Sequence, residues 1–242
     1  YITDGCVAML DSLYSDHLAT QRSRTDAALE HCGFESLAIY AGGERMQFLD
    51  DVAYPFKTNP HFALWAPLAD PIDCWIVYRP GERLRLILLQ PLDYWHKPPA
   101  IPDDYWTRHF EIRVIRAPNE ARALLAGLPR CACIGEPRAE FDDWGFAAVN
   151  PQALLDRLHF ERARKTPYEI ECMRRASHRA AAGHRAAQTA FRAGASEYEI
   201  HQAYLSASGQ LERELPYGSI VALNANAAVL HYQHQERARP TE

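Results

Sequence analysis

The sequence has no long apolar run and no signal-like start. A transmembrane helix needs roughly 18 to 20 consecutive apolar residues, and no such run occurs among the 242 residues. The short apolar segment at residues 6–10 lacks a basic flank before it, so it does not indicate a signal peptide. The sequence therefore predicts neither a membrane-spanning nor a secreted protein, and the expected location is the cytoplasm.

An excess of positive charge is also missing. The formal net charge is −5 at pH 7, and a negative overall field opposes binding to phosphate backbones and to anionic lipids. We therefore expect neither a nucleic-acid partner nor a membrane partner. Hydrophobic residues make up 48% of the chain, which allows a sizeable core in one large or two medium domains.

The cysteines do not form a disulfide pattern. Six are scattered along the chain, which suits reduced thiols in a cytosolic protein. Cys131 and Cys133 form the one close pair, and their alternation with Ala132 places both sulfur atoms on one face of a predicted strand. Buried strand thiols are the favoured interpretation of this pair, over a metal or redox site.

The first 150 residues alternate between helical and β-rich patterns. Apolar residues at helical spacing predict a first helix that runs to about Cys32 and is closed by Gly33. Strands are predicted at residues 37–40, 74–78, 84–89, 112–115 and 131–134, and short helical stretches at residues 120–125 and 141–144. This alternation predicts a mixed α/β layer domain.

The pattern changes after a basic stretch at residues 157–165, and we expect a domain boundary near residues 150–165. Thr166 and Glu169 have the spacing of a capping box, and the helix that they start is expected to end at Gly194. Its stripe of mostly small residues predicts close packing against a sheet. A second capping box at Ser196 predicts another helix, which reaches about Arg213.

The final segment has a shorter hydrophobic period. After residues 216–218 the apolar residues recur with a period of two, which predicts strands at residues 219–223 and 229–233. The small polar residues 224–226 between them predict a bend. Two capped helices and a strand pair therefore make up the predicted second region.

Several stretches of the chain resemble the bacterial Xaa-Pro dipeptidases, which are the prolidases of the organophosphorus-acid-anhydrolase-like branch of the pita-bread metallopeptidases. The stretches in the first region are QFLDD at 47–51, YPFK at 54–57, NP at 59–60, CWIV at 74–77 and DYWHK at 93–97. Those in the second region are KTPYEI at 165–170 and YGSIVALNANAAVLHY at 217–232. They occur in the family's order along essentially the whole chain.

The resemblance implies an α/β fold in which a creatinase-like N-terminal α/β domain, residues 1–155, precedes the truncated start of a pita-bread (α+β) catalytic domain, residues 156–242. It implies a full-length parent that is a manganese-dependent metallodipeptidase and hydrolyses dipeptides with C-terminal proline. Two Mn²⁺ ions per subunit are expected in that parent. The family's metal-binding aspartates, histidine and glutamates would follow residue 242, so we expect no metal ligand, no bound Mn²⁺ and no activity in this chain alone.

The resemblance also assigns candidate site residues. Asp51, Trp95, Tyr217, Leu230 and His231 match positions that line the family's substrate pocket. The family members are typically homodimers, which implies a homodimer formed through the N-terminal domain, with Trp95 at the position that reaches the partner's active site. His231 is the catalytic candidate, because an imidazole near the scissile bond can hydrogen-bond the substrate and stabilise the transition state.

Considered without the resemblance, these residues have simpler explanations. His231 fits a strand histidine with satisfied hydrogen bonds, and Asp51 fits a surface carboxylate. Trp95 lies in an aromatic, proline-rich loop and fits packing against its own domain as well as an interface. Tyr217 precedes a glycine and fits either a turn aromatic or a substrate contact.

Two other functions remain open at this point. An aminopeptidase P, which acts on longer peptides, would use the same kind of fold. A non-catalytic binding or regulatory protein built on a prolidase scaffold would keep the N-terminal domain without the chemistry. Activity on Xaa-Pro dipeptides distinguishes the three.

Overall fold

The computed structural model describes residues 4–94 and 97–241, with side chains described from residue 9 onward. The chain divides into two compact units, Tyr1–Glu169 and Ile170–Glu242, which we call the N-terminal unit and the C-terminal unit. The predicted domain boundary between residues 155 and 156 remains a prediction. None of the helices in the described residues is both long enough and apolar enough to cross a bilayer.

The N-terminal unit is built on a mixed sheet whose strand order is β4-β3-β2-β1-β5-β6. The strands are β1 Ser36–Tyr40, β2 Trp75–Tyr78, β3 Leu84–Leu89, β4 Phe110–Ile115, β5 Cys131–Ile134 and β6 Ala148–Val149. β2 runs antiparallel to both β1 and β3, whereas the pairs β1–β5, β3–β4 and β5–β6 are parallel. All five predicted strands are confirmed, and the short β6 is an addition that the sequence did not indicate.

Three helices cover one face of this sheet. They are α1 Asp4–Cys32, α2 Pro60–Trp65 and α4 Gln152–Arg162, and α1 packs against α4. Residues of all three helices line a small cavity together with Leu37 and Ile39 of β1. The predicted first helix is confirmed, and Gly33 ends it with a φ of 72°. α2 and α4 were not predicted.

Aromatic side chains cover the opposite face. Tyr40 and Trp75, which are paired residues of β1 and β2, have ring centroids 4.7 Å apart. Phe141 lies 5.1 Å from Trp75 and belongs to a 3₁₀ helix, Ala139–Asp143, where a helical stretch was predicted. The other predicted stretch is α3, Ala121–Leu125. Because β1, β2 and β5 are buried on both faces, their sequences are continuously apolar.

The close cysteine pair lies in β5, as predicted. Cys131 and Cys133 are both buried, and burial raises the pKa of both thiols, that of Cys133 to about 12. A thiol with a raised pKa is a poor nucleophile and a poor metal ligand at neutral pH. The pair therefore contributes to the core of the N-terminal unit.

Two capped helices follow. In α5, Pro167–Arg192, the capping box is confirmed, since the Thr166 amide donates to Glu169 Oε2 (2.8 Å) and the Glu169 amide donates to Thr166 Oγ1 (3.3 Å). The helix ends close to Gly194, whose φ is 73°. α6, Glu197–Ser208, begins with the predicted capping box between Ser196 and Glu199.

The second helix ends earlier than the sequence predicts. α6 stops at Ser208, before the expected Arg213, because Gly209 takes a left-handed conformation with a φ of 61°. The Arg179 guanidinium donates to the carbonyls of Ser208 and Gly209, at 2.5 Å each. Both carbonyls therefore have hydrogen-bond donors without another helical turn.

The two strands predicted at residues 219–223 and 229–233 are wrong. A 3₁₀ helix, Asn224–Ala228, joins two irregular segments, and no strand forms in the described residues of the C-terminal unit. The α5 stripe that was expected to pack on a sheet is largely open, with Ile170, Met173 and Phe191 exposed within the unit. A strand needs the backbone groups of a neighbour, whereas here the backbone amides of Leu223 and Glu236 bond to a side chain.

Candidate functional site

The predicted site residues of the C-terminal unit lie on its surface. Leu230 and His231 are neighbours in a turn and are both exposed, Leu230 to 82%. Tyr217 is 78% exposed, and Gly218 beside it lies next to the side chain of Gln233. Leu230 and His231 thus lie on one irregular segment, and Tyr217 lies on the chain that leads into it.

Residues 223–236, which we call the His231 segment, are organised around the buried carboxylate of Glu197. The Leu223 amide donates to Glu197 Oε1 at 2.8 Å, and the Glu236 amide donates to Oε2 at 2.7 Å. The Asn226 side-chain amide also donates to Oε1, at 3.0 Å, and to the Tyr232 hydroxyl, at 2.9 Å. One carboxylate therefore holds both ends and the middle of the segment that carries His231.

The environment of Glu197 favours its charged form. The side chain is 1% exposed, and desolvation by itself would raise the pKa of the carboxyl. Hydrogen bonds from Asn226, Leu223, Tyr232 and Glu236 overcome that effect and lower the pKa of Glu197 to about 2. Glu197 is also the first residue of α6, where the helix dipole favours a negative charge.

Tyr232 completes this network. It is buried, although its neighbour His231 is exposed. The hydrogen bond to Glu197 raises the pKa of the Tyr232 hydroxyl, because ionised tyrosine would face a second negative charge. The burial of Tyr232 anchors the chain directly after His231, whose side chain stays exposed.

The chain after the His231 segment attaches to the start of α6. The Arg239 guanidinium contacts both carboxylate oxygens of Glu199, at 2.7 Å and 2.9 Å. The Arg237 guanidinium lies 4.0 Å from the ring centroid of Tyr198, and the Tyr198 amide donates to the Glu236 carbonyl at 3.2 Å. These contacts hold the chain that follows the segment beside the start of α6, where Glu197 already bonds to both ends of the segment.

Asp51 lies in the N-terminal unit, in a hairpin-like turn spanning residues 45–54. The turn is closed by an isolated bridge between Met46 and Ala53. Asp50 caps it, since its Oδ1 accepts from the Val52 amide at 3.1 Å, and Asp51 is exposed. Asp51 is thus a surface carboxylate within the N-terminal unit, and its role as a substrate contact stays a prediction.

Trp95 lies outside the described residues. Its role as a substrate or partner contact therefore stays a prediction. The described residues of the N-terminal unit that neighbour it in sequence include Leu92, which is exposed.

A crevice in the N-terminal unit contains residues that the sequence did not single out. It has a volume of about 500 Å³ and lies at the carboxyl ends of β1 and β5, where α/β proteins commonly bind ligands. Nε2 of the buried His61 lies 3.0 Å from Nε2 of His159. Burial, with the charge of Arg162, lowers the pKa of His61 to about 4, so His61 is neutral at pH 7.

The described residues do not fit a metal centre. Across residues 4–94 and 97–241, no three histidine, cysteine, aspartate or glutamate side chains come together as metal ligands. Glu197, the one buried carboxylate beside the candidate residues, uses both oxygens to accept hydrogen bonds.

The sequence did not identify Glu197, Asn226 or Tyr232 as site residues. Ser196 and Glu199 explained the start of α6 as a capping box, so Glu197 at the first helical position looked like an ordinary favourable charge. Asn226 was interpreted as part of a bend and Tyr232 as a strand residue. The one sequence signal for this network was a tyrosine, Tyr232, directly after the matched Leu230 and His231.

Two family models match the chain. One, described as the Xaa-Pro dipeptidase N-terminal domain, matches residues 12–160. The other, described as metallopeptidase family M24, matches residues 171–241. Together they follow the same order as the two regions described above.

Curated relatives match the chain over most of its length. A protein named Xaa-Pro dipeptidase from Xanthomonas axonopodis pv. citri (strain 306) is 49% identical over 92% of this chain and 50% of its own length. Another of the same name from Pseudoalteromonas haloplanktis is 45% identical over 94% of this chain and 52% of its own length. The chain thus spans about half the length of these relatives.

Solved structures share the fold at lower identity. Escherichia coli aminopeptidase P with the inhibitor Pro-Leu superposes with a TM-score of 0.64 at 21% identity, over 91% of this chain and 55% of that one. The low-pH form of the same enzyme gives the same TM-score of 0.64 and the same identity of 21%. At this identity the likeness shows a shared fold, an N-terminal α/β domain followed by the start of a pita-bread domain.

Proposed function

Because the chain belongs to the family of Xaa-Pro dipeptidase N-terminal domains, we propose that the whole protein hydrolyses dipeptides whose second residue is proline. The observation that carries the proposal is the 49% identity to a protein named Xaa-Pro dipeptidase over 92% of this chain. The match to metallopeptidase family M24 at residues 171–241 supports a metal-dependent hydrolase.

We propose substrate roles for the five candidate residues. His231 hydrogen-bonds the scissile-bond region or the substrate carboxylate, and Leu230 and Tyr217 line the pocket beside it. The exposure of all three side chains supports this assignment, because each can reach a bound molecule. Asp51 and Trp95 are also proposed to contact substrate, and Trp95 is proposed to do so in the active site of the partner subunit.

The metal is proposed to be a pair of Mn²⁺ ions in the full-length protein. Hard divalent cations lower the pKa of a bound water and stabilise the oxyanion of peptide hydrolysis. We propose that the ligands lie in the half of the relatives' length that this chain does not span. The 242-residue chain alone is accordingly expected to show no dipeptidase activity.

The full-length protein is proposed to be a homodimer formed through its N-terminal domain. The 45–54 turn supports this, because Phe48 and Leu49 at its tip are 89% and 91% exposed. Apolar side chains that project this far are typical of surfaces covered by another chain. Sedimentation of the full-length protein beside its Phe48→Ser/Leu49→Ser variant tests the interface: a dimer that the variant weakens is expected, and a monomeric wild type contradicts it.

A cytoplasmic location is proposed from the cysteines. Cys32, Cys74, Cys131 and Cys133 are thiols in the structure, with no disulfide among them. Free thiols persist where glutathione and thioredoxin keep them reduced.

Hydrolysis assays of the full-length protein test the function. An Xaa-Pro dipeptide, the matching Xaa-Pro-Yaa tripeptide and an Xaa-Ala dipeptide are compared, each with added Mn²⁺ and again after chelation. We expect hydrolysis of the Xaa-Pro dipeptide alone, and only with metal. Preference for the tripeptide would indicate an aminopeptidase P, and no hydrolysis of any peptide would indicate the non-catalytic binding protein.

His231→Ala tests the catalytic candidate. Removing a hydrogen-bond donor that acts on the transition state lowers kcat by on the order of 10²-fold, and the exposed position predicts unchanged folding. Steady-state kinetics with the Xaa-Pro dipeptide measure the change. His234→Ala, at an exposed histidine of the same segment, is the matched control. Equal kinetics for the His231 variant and the wild type would remove this residue from the site.

A further inference from the structure

The His231 segment depends on Glu197 for its shape. The segment leaves and rejoins the unit at residues whose amides bond to the two oxygens of one carboxylate, Leu223 to Oε1 and Glu236 to Oε2. Its ends are therefore as close as those of an Ω-loop, a compact surface loop packed by its own side chains. The carboxylate replaces the strand ladder that the sequence pattern predicts here.

The backbone of the segment provides little order of its own. Its internal backbone hydrogen bonds are those of the short 3₁₀ turn, from Asn226 to Leu223 and from Val229 to Asn226. Beyond that turn, the buried Tyr232 hydroxyl joins the Glu197 network. The turn that presents Leu230 and His231 thus lies between two side chains, Asn226, which bonds to Glu197, and Tyr232, whose hydroxyl accepts from Asn226.

The chemistry of the network requires a carboxylate. The backbone N–H groups of Leu223 and Glu236 and the NH₂ group of Asn226 can only donate, and they reach both oxygens of Glu197. A glutamine of the same shape would turn its own NH₂ group toward at least one of these donors, which leaves two buried donors facing each other. An ionised carboxylate accepts on both oxygens and at several positions.

We propose that Glu197 is a positioning residue of the substrate site, which acts through Asn226 and Tyr232 to hold Leu230 and His231 in the arrangement that binds substrate. The proposal rests on the proposed function for its kinetic consequences, but not for its structural ones. Misplacing a catalytic group by about 1 Å is enough to lower a rate by about 10²-fold. Glu197 therefore influences the reaction without touching the substrate.

Hydrogen exchange of the full-length protein tests the structural part. In Glu197→Gln we expect amides of residues 223–236 to exchange at least about 10-fold faster than in the wild type. Peptides from the middle of α5 should be unchanged. Glu171→Gln is the matched control, because it removes one carboxylate charge from the same unit, where Glu171 bonds to Arg174 and Arg175 instead of the segment.

Kinetics test the positioning part. Glu197→Gln should lower kcat/KM for an Xaa-Pro dipeptide by on the order of 10²-fold, and Glu171→Gln should leave it within about 2-fold. If Glu197 acts through His231, the double variant Glu197→Gln/His231→Ala should be no slower than His231→Ala alone. Multiplying losses in the double variant would show that Glu197 does not act through His231 and would overturn the proposal.

Three further outcomes have separate consequences. Exchange of residues 223–236 at the wild-type rate in Glu197→Gln would overturn the proposal even if the enzyme were slow. If that variant fails to fold, Tyr232→Phe removes one hydrogen bond from the network while keeping the buried ring, and faster exchange confined to residues 223–236 is still expected. If the wild type has no dipeptidase activity, the proposed function is refuted. The hydrogen-exchange result would still test whether Glu197 orders residues 223–236.

Discussion

The two units keep polar groups out of water in opposite ways. In the N-terminal unit, buried His17 is held neutral: its Nε2 donates to the Leu64 carbonyl and its Nδ1 accepts from the Thr166 hydroxyl, both at 2.8 Å. In the C-terminal unit, buried Glu197 is held charged by donors on both oxygens. Burial lowers the pKa of His17, whereas hydrogen bonding lowers that of Glu197.

The two units are also held in their folded conformations by different interactions. The N-terminal unit has a sheet whose strands β1, β2 and β5 are buried on both faces, and all five tryptophans of the chain belong to this unit. The His231 segment of the C-terminal unit has no strand among its described residues and is held by one charge. A packed sheet resists the loss of any single polar contact, whereas a segment held by one carboxylate does not.

The largest expected effect is the loss of an aromatic side chain from the core of the N-terminal unit. Trp75 is fully buried between Tyr40 and Phe141. Trp75→Ala should lower the free energy of unfolding of this unit by about 3 to 5 kcal/mol, since a cavity replaces the indole. Urea unfolding followed by exchange labelling of N-terminal peptides measures it.

Phe160→Ala is the control for this prediction. Phe160 is also a large aromatic of the N-terminal unit, but it lies exposed on α4. Its removal should change the free energy of unfolding by less than about 0.5 kcal/mol. Similar costs for the two substitutions would mean that the aromatic layer does not stabilise the unit.

Acid should weaken the two units in different pH ranges. The folded pKa of His61 is about 4, below its ordinary 6.5, so the unfolded chain binds more protons between these values. The N-terminal unit therefore loses stability as the pH falls from 6.5 to 4, by on the order of 2 kcal/mol. The contribution of Glu197 is complete above pH 4.5 and is lost as the pH falls from there to about 2.

Urea unfolding at pH 7.5, 5 and 3, with a brief exchange pulse at one fixed pH, separates the two ranges. At pH 5 the N-terminal peptides should unfold at lower urea than at pH 7.5, while protection of residues 223–236 persists. His61→Gln should reduce the change between pH 7.5 and 5. Equal acid sensitivity of residues 223–236 above pH 4.5 would contradict the assignment of their order to an ionised Glu197.

The smallest expected difference is that between the costs in unfolding free energy of removing the two helix caps. Thr166→Ala removes the cap of α5 and also the hydroxyl that donates to His17 Nδ1, so it should cost about 2 kcal/mol. Ser196→Ala removes only the cap of α6 and should cost about 1 kcal/mol. Denaturant unfolding measures both, and Thr189→Ala on exposed α5 surface serves as control. A larger cost at Ser196 would reverse the comparison.

The sequence predicted the N-terminal unit well because its signals are local. The continuous apolar runs at 84–89 and 131–134 have the same bounds in the structure, and Gly33 marks the end of α1. α4 was missed because its basic residues suggested a boundary, although Leu154 is fully buried. Only the packing of α4 against α1 identifies its apolar side as part of the core.

The candidate site was only partly accessible to the sequence. The resemblance identified Tyr217, Leu230 and His231, and the structure brings them to one exposed segment. Strands were predicted around them because the apolar residues alternate, but alternation does not supply a neighbouring strand. Glu197 was missed because it lies far from the segment in sequence.

The sequence by itself determined the α/β class of the first unit, the capped starts of α5 and α6, and the family. These follow from propensities, caps and motifs that act over a few residues. The tertiary structure decided that Glu197 is buried and charged and that residues 223–236 close around it instead of forming strands. The reason is that a buried carboxylate is stable only where several donors converge, and that convergence exists only after the chain has folded.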